Sequence, residues 1–477
     1  LAAWTAAAHT DGFAAVESWA EQTLTAKATE QASVAIAGGT RLTRLENGIR
    51  VVTDEIRGVS QVAIGVVVEC GSRHEAADER GLAHLCEHML FQGTSLRDSM
   101  QIARHIDYAG GRVGGFTTRD YTCFHASVLG DYCYHALDLL GDMLLNFTLP
   151  QESVEREKQS ILSEIREQQD IPPHYLDAQV KREAWAGHSL AWPVTGTEES
   201  VRGFTREDII YFLHRNYTPD RIIVAAAGDL NHDDFVAQVH DAFWRFLGEG
   251  CNQEDGAAGF EPGFAMVELP CAQSYFHVGF PAPAYEAENR YAMHVLSWIL
   301  GGGLSSRLFR RLREEKGWVY QVDTDYQAYR GAGMLSLEGS TTPELLLDVI
   351  PVALQCISDV AGWKAPVTAE ELDRAKTAIR AQFLIASEDV HTRMCRAATQ
   401  QLYFGRTIPV EEIAAGIGAV SLPEMKSLAR WMGHEAVPRA NVAVGGPLPG
   451  EKDFALLRDT VNRRLKRSGL TRTERAA

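Results

Sequence analysis

Alternating polar and apolar residues mark the first strands of the chain. Residues 41–55 alternate in this way, and the next apolar run, 61–68, contains many β-branched residues. The same order returns in the second half, where 266–269 leads into 273–280. Period-two alternation and short β-branched runs are typical of half-buried and buried strands. The pattern therefore predicts a sheet in each half of the chain.

Each half also closes with a short apolar run that ends at glycine, 222–228 in the first half and 441–445 in the second. Helical patterns lie between the strands, and two helices begin alike, with acids in the predicted first turns. Aligned without gaps, the two helices place Lys158 on Lys376. We therefore expect an α+β protein with two homologous domains of one topology. Each would be a mainly antiparallel sheet with helices packed on it, derived from an internal duplication.

The boundaries follow from the same patterns. We predict a first domain at 39–250 and a homologous second domain at 263–450, joined by a linker at 251–262 that is rich in glycine and acids. An N-terminal extension, 1–38, and a basic C-terminal tail, 451–477, lie outside both domains.

Polar residues differ between the halves where packing residues agree. Five polar residues of the first half align, in order, with five residues of the second half, four of which are no longer equivalent in chemistry: His84, Glu87, His88, Glu157 and Glu164 against His294, Ser297, Trp298, Ala375 and Gln382. Groups that one copy keeps and the other has lost are not required by the shared fold. The sequence therefore predicts chemistry in the first domain and a second domain without a metal site.

Residues 84–88 read HxxEH. On a helix, His88 lies about 40° from His84 and Glu87 about 60° to the other side, so the three side chains share one face. Two neutral imidazoles one turn apart can bind one zinc ion. The glutamate between them can accept a proton from a water in the fourth position.

A third protein ligand is expected from Glu157 or Glu164, which are seven residues apart and share one helix face. Carboxylates at the edge of a buried face are costly unless a cation compensates them. The alternative is a solvated cluster on a helix surface, which the paired glutamates and the loss in the second half disfavour. Cys86 points away from this face and is expected to be a core thiol.

The chain resembles the pitrilysin and mitochondrial processing peptidase family in four segments: 81–94, 110–111, 117–122 and 157–164. The HxxEH motif of this family inverts the HExxH of other zinc peptidases. The resemblance covers about 40–450. It extends to the processing peptidase beta subunit, to core subunit 1 of the cytochrome bc complex, and to short bacterial members. It implies one Zn²⁺ per chain held by His84, His88 and Glu164. Glu87 would be the catalytic base, and Glu157 the acid that orients the site.

The resemblance also implies a substrate site. Gly115, Phe116 and Thr117 would lie on an edge strand that pairs with an extended peptide, although the family commonly has Asn-Ala where this chain has Gly114 and Gly115. Arg313 and Tyr320 resemble the pair that binds the substrate carbonyl and stabilises the oxyanion; a helix-end arginine and a core tyrosine are the alternative. Of the acids that read an arginine near the cut in mitochondrial members, only Asp177 could match, and that alignment needs a gap.

Composition limits the classes of partner that the protein is expected to bind. The formal net charge is −17, from 63 acidic and 46 basic residues, which disfavours nucleic acid. Mean hydropathy is −0.17, and no apolar run approaches the ~20 residues of a membrane span, so we expect a chain that does not itself cross a membrane. Eight cysteines without a CxxC pair predict buried thiols in a reducing compartment.

Two functions follow. The first is a zinc metalloendopeptidase that cleaves extended peptides, such as targeting presequences or other short unfolded peptides, in a chamber formed with a homologous subunit, identical or not. The alternative is a structural core subunit of respiratory complex III, with or without processing activity. The first residue, Leu1, favours a processed chain in the mitochondrial matrix or on the matrix side of the inner membrane. Residues 386–388 and 392–394 look bacterial, so the bacterial cytoplasm is the alternative location.

Overall fold

The computed structural model describes residues 33–35, 39–248, 258–361 and 365–447, together with 256, 458, 459 and 461. Most of the N-terminal extension at 1–38, half of the linker at 251–262 and most of the basic tail at 451–477 lie outside the described residues. Everything described below belongs to one compact unit, Ser33–Ala477.

The first half of the chain builds a seven-stranded sheet in the order β1-β2-β3-β7-β4-β6-β5. Its strands are β1 (Ser33–Ala35), β2 (Thr40–Arg44), β3 (Arg50–Glu55), β4 (Gln61–Val68), β5 (Arg112–Thr117), β6 (Thr122–Leu129) and β7 (Ile222–Gly228). The helices of this half are α1 (Leu82–Leu90), α2 (Ser99–Tyr108), α3 (Cys133–Leu145), α4 (Gln151–Asp170), α5 (Pro172–Ala184), α6 (Glu198–Gly203), α7 (Arg206–Asn216) and α8 (His232–Phe243).

The second half builds a five-stranded sheet in the order β10-β11-β9-β12-β8. Its strands are β8 (Gly263–Glu268), β9 (Ser274–Ala282), β10 (Val319–Tyr329), β11 (Ala332–Thr341) and β12 (Asn441–Gly446). Its helices are α9 (Arg290–Gly301), α10 (Leu346–Ala361), α11 (Ala369–Ala386), α12 (Val390–Phe404), α13 (Val410–Ala419) and α14 (Leu422–Trp431).

The two sheets have one topology. The strand order β3-β7-β4-β6-β5 in the first corresponds to β8-β12-β9-β11-β10 in the second. In each sheet one neighbouring pair is parallel, β3 with β7 and β8 with β12, and the other pairs among the described strands are antiparallel. Equivalent strands end at glycines with positive φ, Gly228 at 122° and Gly446 at 130°. The predicted α+β fold with two homologous domains is confirmed.

Two aligned lysines, one in each half, make equivalent hydrogen bonds. Lys158 Nζ donates to the carbonyl of Phe204 at 2.9 Å, and Lys376 Nζ donates to that of Gly418 at 2.9 Å. Phe204 immediately precedes Thr205, which begins the capping box of one helix, and Gly418 lies three residues before Ser421, which begins that of another. The gap-free alignment of the two lysines therefore reflects an equivalent role in three dimensions.

The central strand β4 is covered on both faces, which explains its continuous apolar run. Val62, Ile64 and Val66 pack against the helices of their own half in one cluster, whereas Ala63 and Val67 belong to a second cluster with α12 of the other half. The reciprocal arrangement holds in the second sheet, where α5 of the first half packs on β9 and β12.

Each half thus contributes one helix that packs on the sheet of the other half. Gly65 on β4 lies directly beneath Met394 of α12, and Gly279 on β9 lies directly beneath Val180 of α5. A two-pronged ion pair joins Arg393 of α12 to Asp54 of β3, with both N–O distances 2.7 Å. We conclude that the two halves interlock, while the domain boundaries at 39–250 and 263–450 stay a prediction.

The seam under α5 also contains a buried polar cluster. His277 Nε2 lies 3.1 Å from Ser336 Oγ and 3.7 Å from Asp177 Oδ1, and its Nδ1 lies 3.8 Å from Glu338. Lys181 is paired with Asp177 at 2.6 Å. Asp177 is therefore engaged at this seam. Burial lowers the pKa of His277 to about 4, against a raising effect of Asp177 and Asp325 and a further lowering by Lys181.

We expect Gly279→Ala to lower the free energy of unfolding by about 1–3 kcal/mol, because a Cβ there would lie 2.6 Å from Val180 Cγ1 and overpack the seam. The control is Gly203→Ala, at an exposed helix end where a Cβ meets no atom within 4 Å. Its effect should stay within about 0.5 kcal/mol. Denaturant midpoints measure both variants, and equal midpoints would contradict the close contact of α5 with β9.

A second prediction concerns acid. The unfolded chain protonates His277 near pH 6.5, whereas the folded protein keeps it neutral down to about pH 4. The unfolded state therefore binds more protons in this window, and stability falls as pH drops through it, by about 2 kcal/mol between pH 6.5 and 5 from this residue. His277→Gln should flatten that part of the stability profile, while His240→Gln, at an exposed position, should not. Parallel profiles for wild type and His277→Gln would refute the assignment.

Candidate metal centre

Helix α1 presents the HxxEH residues, and a buried carboxylate fixes its start. Glu75 accepts hydrogen bonds from the backbone N–H groups of Gly81, at 2.9 Å, and Ala83, at 2.8 Å. A carboxylate at this end of a helix satisfies donors that have no partner within the helix and complements the helix dipole. Gly81 has φ 92°, and a Cβ there would collide with the backbone of Gly196. Sequence reasoning missed Glu75, because it lies six residues before the N-cap residue Gly81 and no local pattern marks it.

Three of the predicted ligands converge. The ligand atoms of His84, His88 and Glu164 lie within 4.8 Å of one another, the only such group of three or more His, Cys, Asp or Glu side chains in the described part of the chain. The two imidazole centroids are 4.6 Å apart, and His84 Nε2 lies 3.7 Å from Glu164 Oε2. Helix α1 supplies both histidines and α4 supplies the glutamate.

The electrostatics of this group suit a cation. Burial, and then the neighbouring His88, lower the pKa of His84 to about 3, so its imidazole is a neutral donor at physiological pH. Burial raises the pKa of Glu164, which means that its charge is under-compensated by the protein alone. The buried Nδ1 of His84 has no hydrogen-bond partner among the described residues. Two nitrogen donors and one carboxylate are a donor set that zinc commonly takes.

Neighbouring side chains hold two of the three residues in place. Glu157 Oε2 lies 3.2 Å from His88 Nδ1, so it can fix which ring nitrogen of His88 remains for a metal. Gln168 donates to Glu164 Oε1 at 3.1 Å and accepts from Thr195 Oγ1 at 3.3 Å. Gln168 and Thr195 were not foreseen, since nothing in their local sequence pattern marks them.

Glu87 lies on α1 with the two histidines and contacts the edge strand β5. Its Oε2 accepts a hydrogen bond from Thr117 Oγ1 at 2.6 Å. Burial raises the pKa of Glu87, against a lowering by the Thr117 hydrogen bond and by His88. A carboxylate with raised proton affinity, held by one donor, can act as a general base.

Strand β5 carries the predicted substrate residues and is the free edge of the first sheet. At Gly115 a Cβ would lie 3.0 Å from both Cγ and Oε1 of Glu87 and 3.1 Å from the ring of Phe91, so glycine allows the strand to approach α1 closely. Phe116 packs its ring against those of Tyr121 and His125, with centroids 6.0 Å away in each case. Thr117 completes the strand.

Arg313 and Tyr320 lie in the second half and contact each other. The Arg313 guanidinium lies 4.8 Å from the centroid of the Tyr320 ring and donates to the backbone carbonyl of Tyr320. No hydrogen bond or ion pair of the described residues joins either of them to His84, His88 or Glu164. Tyr320 is 74% exposed, so the core-tyrosine alternative is wrong.

Sequence profiles of two known families match most of this region. The profile described as insulinase, peptidase family M16, matches residues 50–198, and that of the peptidase M16 inactive domain matches 203–379. The chain belongs to peptidase family M16. The second profile spans the end of the first half and much of the second, including Ser297 and Trp298, which stand where the first half has Glu87 and His88.

Relatives carry the same description. An uncharacterised zinc protease of Bacillus subtilis is 31% identical over 85% of this chain and 98% of its own length. One from Mycobacterium tuberculosis is 34% identical over 87% of this chain and 95% of its own. This M16 chain is therefore a member of a zinc metallopeptidase family, as the sequence predicted.

Solved structures share the fold. A peptidase M16 inactive domain from Pseudomonas fluorescens superposes with a TM-score of 0.80 at 19% identity, covering 86% of this chain and 98% of that one. A chain of complex III2 from Candida albicans gives 0.75 at 18% identity, covering 88% and 99%. At these identities the likeness concerns the fold alone.

The relatives bear on the location of the protein. Both relatives above are bacterial, which is consistent with the predicted bacterial alternative and gives the mitochondrial prediction no support. No helix in the described part of the chain is long and apolar enough to cross a membrane.

We expect Glu164→Gln to weaken zinc binding by at least about a hundredfold, because it removes the only anionic donor of the three. Glu157→Gln should cost about 10–100-fold, as expected for a residue that orients a ligand. Glu167→Gln, exposed on the same helix, is the control. Competition against a chromophoric chelator measures all three, and wild-type affinity in Glu164→Gln would remove that residue from the metal site.

Proposed function

We propose that this protein is a zinc metalloendopeptidase that cleaves extended, unfolded peptides. The observation that carries the proposal is the position of Glu87, which is beside the convergent His84, His88 and Glu164 on one side and hydrogen-bonded to the edge strand through Thr117 on the other. A base placed between a metal centre and a free strand edge is suited to hydrolysing a peptide that pairs with that edge.

Each residue of the site has a separate role in the proposed hydrolysis. A zinc ion, bound by the two imidazoles and the carboxylate, would supply Lewis acidity toward the peptide carbonyl and an acidified water. Strand β5 aligns the peptide through backbone hydrogen bonds, and Gly115 keeps the peptide-facing backbone close to Glu87. Glu87 accepts a proton from the attacking water and returns it to the leaving amine. Glu157 keeps His88 in one tautomer.

The active unit would contain two homologous chains. The exchange of α5 and α12 locks the two halves of one chain together, so they cannot close on each other as a hinged pair. The exposed Arg313 and Tyr320 of one chain would then face the metal centre of the other across a chamber, where two donors can stabilise an oxyanion. Mixing of variant chains distinguishes a second copy of this chain from a different homologous subunit.

A structural role in respiratory complex III is the second candidate. The fold similarity to a chain of complex III2 favours it, whereas the intact convergent donor set and Glu87 favour a peptidase. A structural subunit has no need for an under-compensated, half-buried carboxylate at Glu164. We therefore rank the peptidase first.

Glu87→Gln should retain zinc and lower cleavage of a quenched unfolded peptide by about 10²–10⁴-fold, because the amide keeps the shape of the side chain but cannot accept the proton. Glu152→Gln, exposed at the start of α4, should cleave normally. Zinc content by mass spectrometry and initial rates are measured on the same samples. Undiminished cleavage by Glu87→Gln would exclude this mechanism.

Subunit mixing tests the two-chain site. If the protein is a homodimer, Glu87→Gln and Arg313→Ala chains should each be weakly active alone. Mixing equal amounts should restore about a quarter of the wild-type activity, because half of the dimers would be mixed and each would contain one complete site. If the partner is a different chain, Arg313→Ala should have little effect. A fully active monomer in sedimentation and kinetics would defeat the two-chain proposal.

A further inference from the structure

A second cluster of titratable side chains lies behind the substrate strand, at the seam between the halves. Helix α12 carries His391 and Cys395 one turn apart, with Nε2 and Sγ separated by 3.5 Å. Strand β6 lies beneath them with Cys123 and His125, two residues apart on one face. The His125 and His391 rings are 4.5 Å apart, and Cys395 packs against the buried cluster to which Cys123 belongs. None of the four belongs to the metal centre.

Both neighbours of Cys395 stabilise its thiolate. The hydrogen bond from Cys123, followed by that from His391, lowers the pKa of Cys395 to about 5, although burial opposes the shift. Cys395 in turn raises the pKa of His391, with a smaller contribution from Asp389 at the start of α12. Burial lowers the pKa of His125 to about 4, so this ring stays neutral beside the pair. The arrangement places a thiol of lowered pKa against an imidazole of raised pKa.

The pKa of four other thiols is shifted in the opposite direction. Burial raises the pKa of four other described cysteines: Cys70, Cys86, Cys133 and Cys356. All seven described cysteines are free thiols. Cys395 is half-buried whereas Cys123 is 1% exposed. An oxidant therefore reaches Cys395 before Cys123, and Cys123 lies in the hydrophobic cluster against which Cys395 packs.

We propose that Cys395 is an oxidation site for hydrogen peroxide, with His391 as its activating partner and Cys123 as the thiol that resolves the oxidised form into a disulfide between the two halves. Reactive cysteines are partly exposed, sit beside a cation and are mostly thiolate at neutral pH. A neighbouring second thiol is the feature that makes such oxidation reversible.

The chemistry balances with one peroxide. The Cys395 thiolate attacks one peroxide oxygen, the O–O bond breaks, and the departing hydroxide takes the proton of the His391 imidazolium to form water. Cys395 is then a sulfenic acid. The Cys123 sulfur displaces its hydroxyl, the Cys123 proton leaves with that hydroxyl as a second water, and the S–S bond forms. Two thiols lose two electrons in total, and peroxide gains them.

The position of Cys123 connects this step to the substrate strand. In the β5–β6 ladder Cys123 pairs with Phe116, and the next pair is Thr122 with Thr117, the residue that hydrogen-bonds Glu87. Drawing Cys123 toward α12 displaces the backbone that supports β5. On the basis of the proposed function, we expect oxidation to raise the KM for peptide while zinc stays bound. The thiol chemistry itself does not depend on that function.

The test uses the full chain, zinc-loaded, with one equivalent of peroxide. Wild type should lose two titratable thiols and yield a linked Cys123–Cys395 peptide in non-reducing mass spectrometry, which dithiothreitol reverses. Cys123→Ser should stop at a sulfenic acid that dimedone traps on Cys395. Cys395→Ser should form neither product, and Cys271→Ser, at another half-buried thiol, should behave like wild type. His391→Gln should slow oxidation at least about tenfold at pH 6, where an unactivated thiol is protonated.

Three results would overturn the proposal: another cysteine reacts as fast as Cys395, the sulfenic acid forms in wild type without the disulfide, or a second equivalent of zinc is bound and protects Cys123 and Cys395. Failure of cleavage by every sample would refute the proposed function but leave the thiol result intact. Circular dichroism of each variant confirms that it is folded before the thiols are compared.

Discussion

The structure depends on covering both faces of two central strands with helices that come from opposite halves of the chain. Strand β4 is buried along seven of its eight residues, and burying a strand on both faces requires a second layer that the first half does not itself provide. Helix α12 supplies that layer, and α5 does the same for β9. The approach is close because Gly65 and Gly279 have no side chains. The interlock joins two homologous folds into one compact unit, which has an open sheet edge at β5 and the candidate metal centre beside it.

Local sequence was sufficient to predict the duplication and the strands. Period-two patterns at 41–55 and β-branched runs at 61–68 and 273–280 reflect burial within a single strand, so each can be read without knowing the rest of the fold. The HxxEH motif and the glutamates at 157 and 164 were likewise readable, because helical spacing alone puts them on one face.

Other features could not be read in this way because they depend on contacts distant in sequence. The exchange of α5 and α12 joins segments distant in sequence, with Val180 and Gly279 99 residues apart and Gly65 and Met394 329 apart, and neither helix differs in pattern from one that stays in its own half. Glu75, Gln168 and Thr195 act through hydrogen bonds to the metal-site residues or to the helices that carry them. The exposure of Tyr320 is set by the edge position of β10 in its sheet, not by the residue's own chemistry.

The second half shows which part of the site belongs to the fold. Helix α9 lies against edge strand β10 as α1 lies against β5, and Ser297, aligned with Glu87, hydrogen-bonds to Thr324 at 3.2 Å. Trp298, aligned with His88, packs against Gly302. A short polar contact between helix and edge strand therefore persists without any carboxylate, and an indole occupies the position of an imidazole. Burying the charge of Glu87 against an edge strand raises its pKa and contributes nothing that a serine does not supply to the fold. The first half thus retains a destabilising carboxylate at the point where a base is needed, and this asymmetry between two copies of one fold is the physical argument for chemistry there.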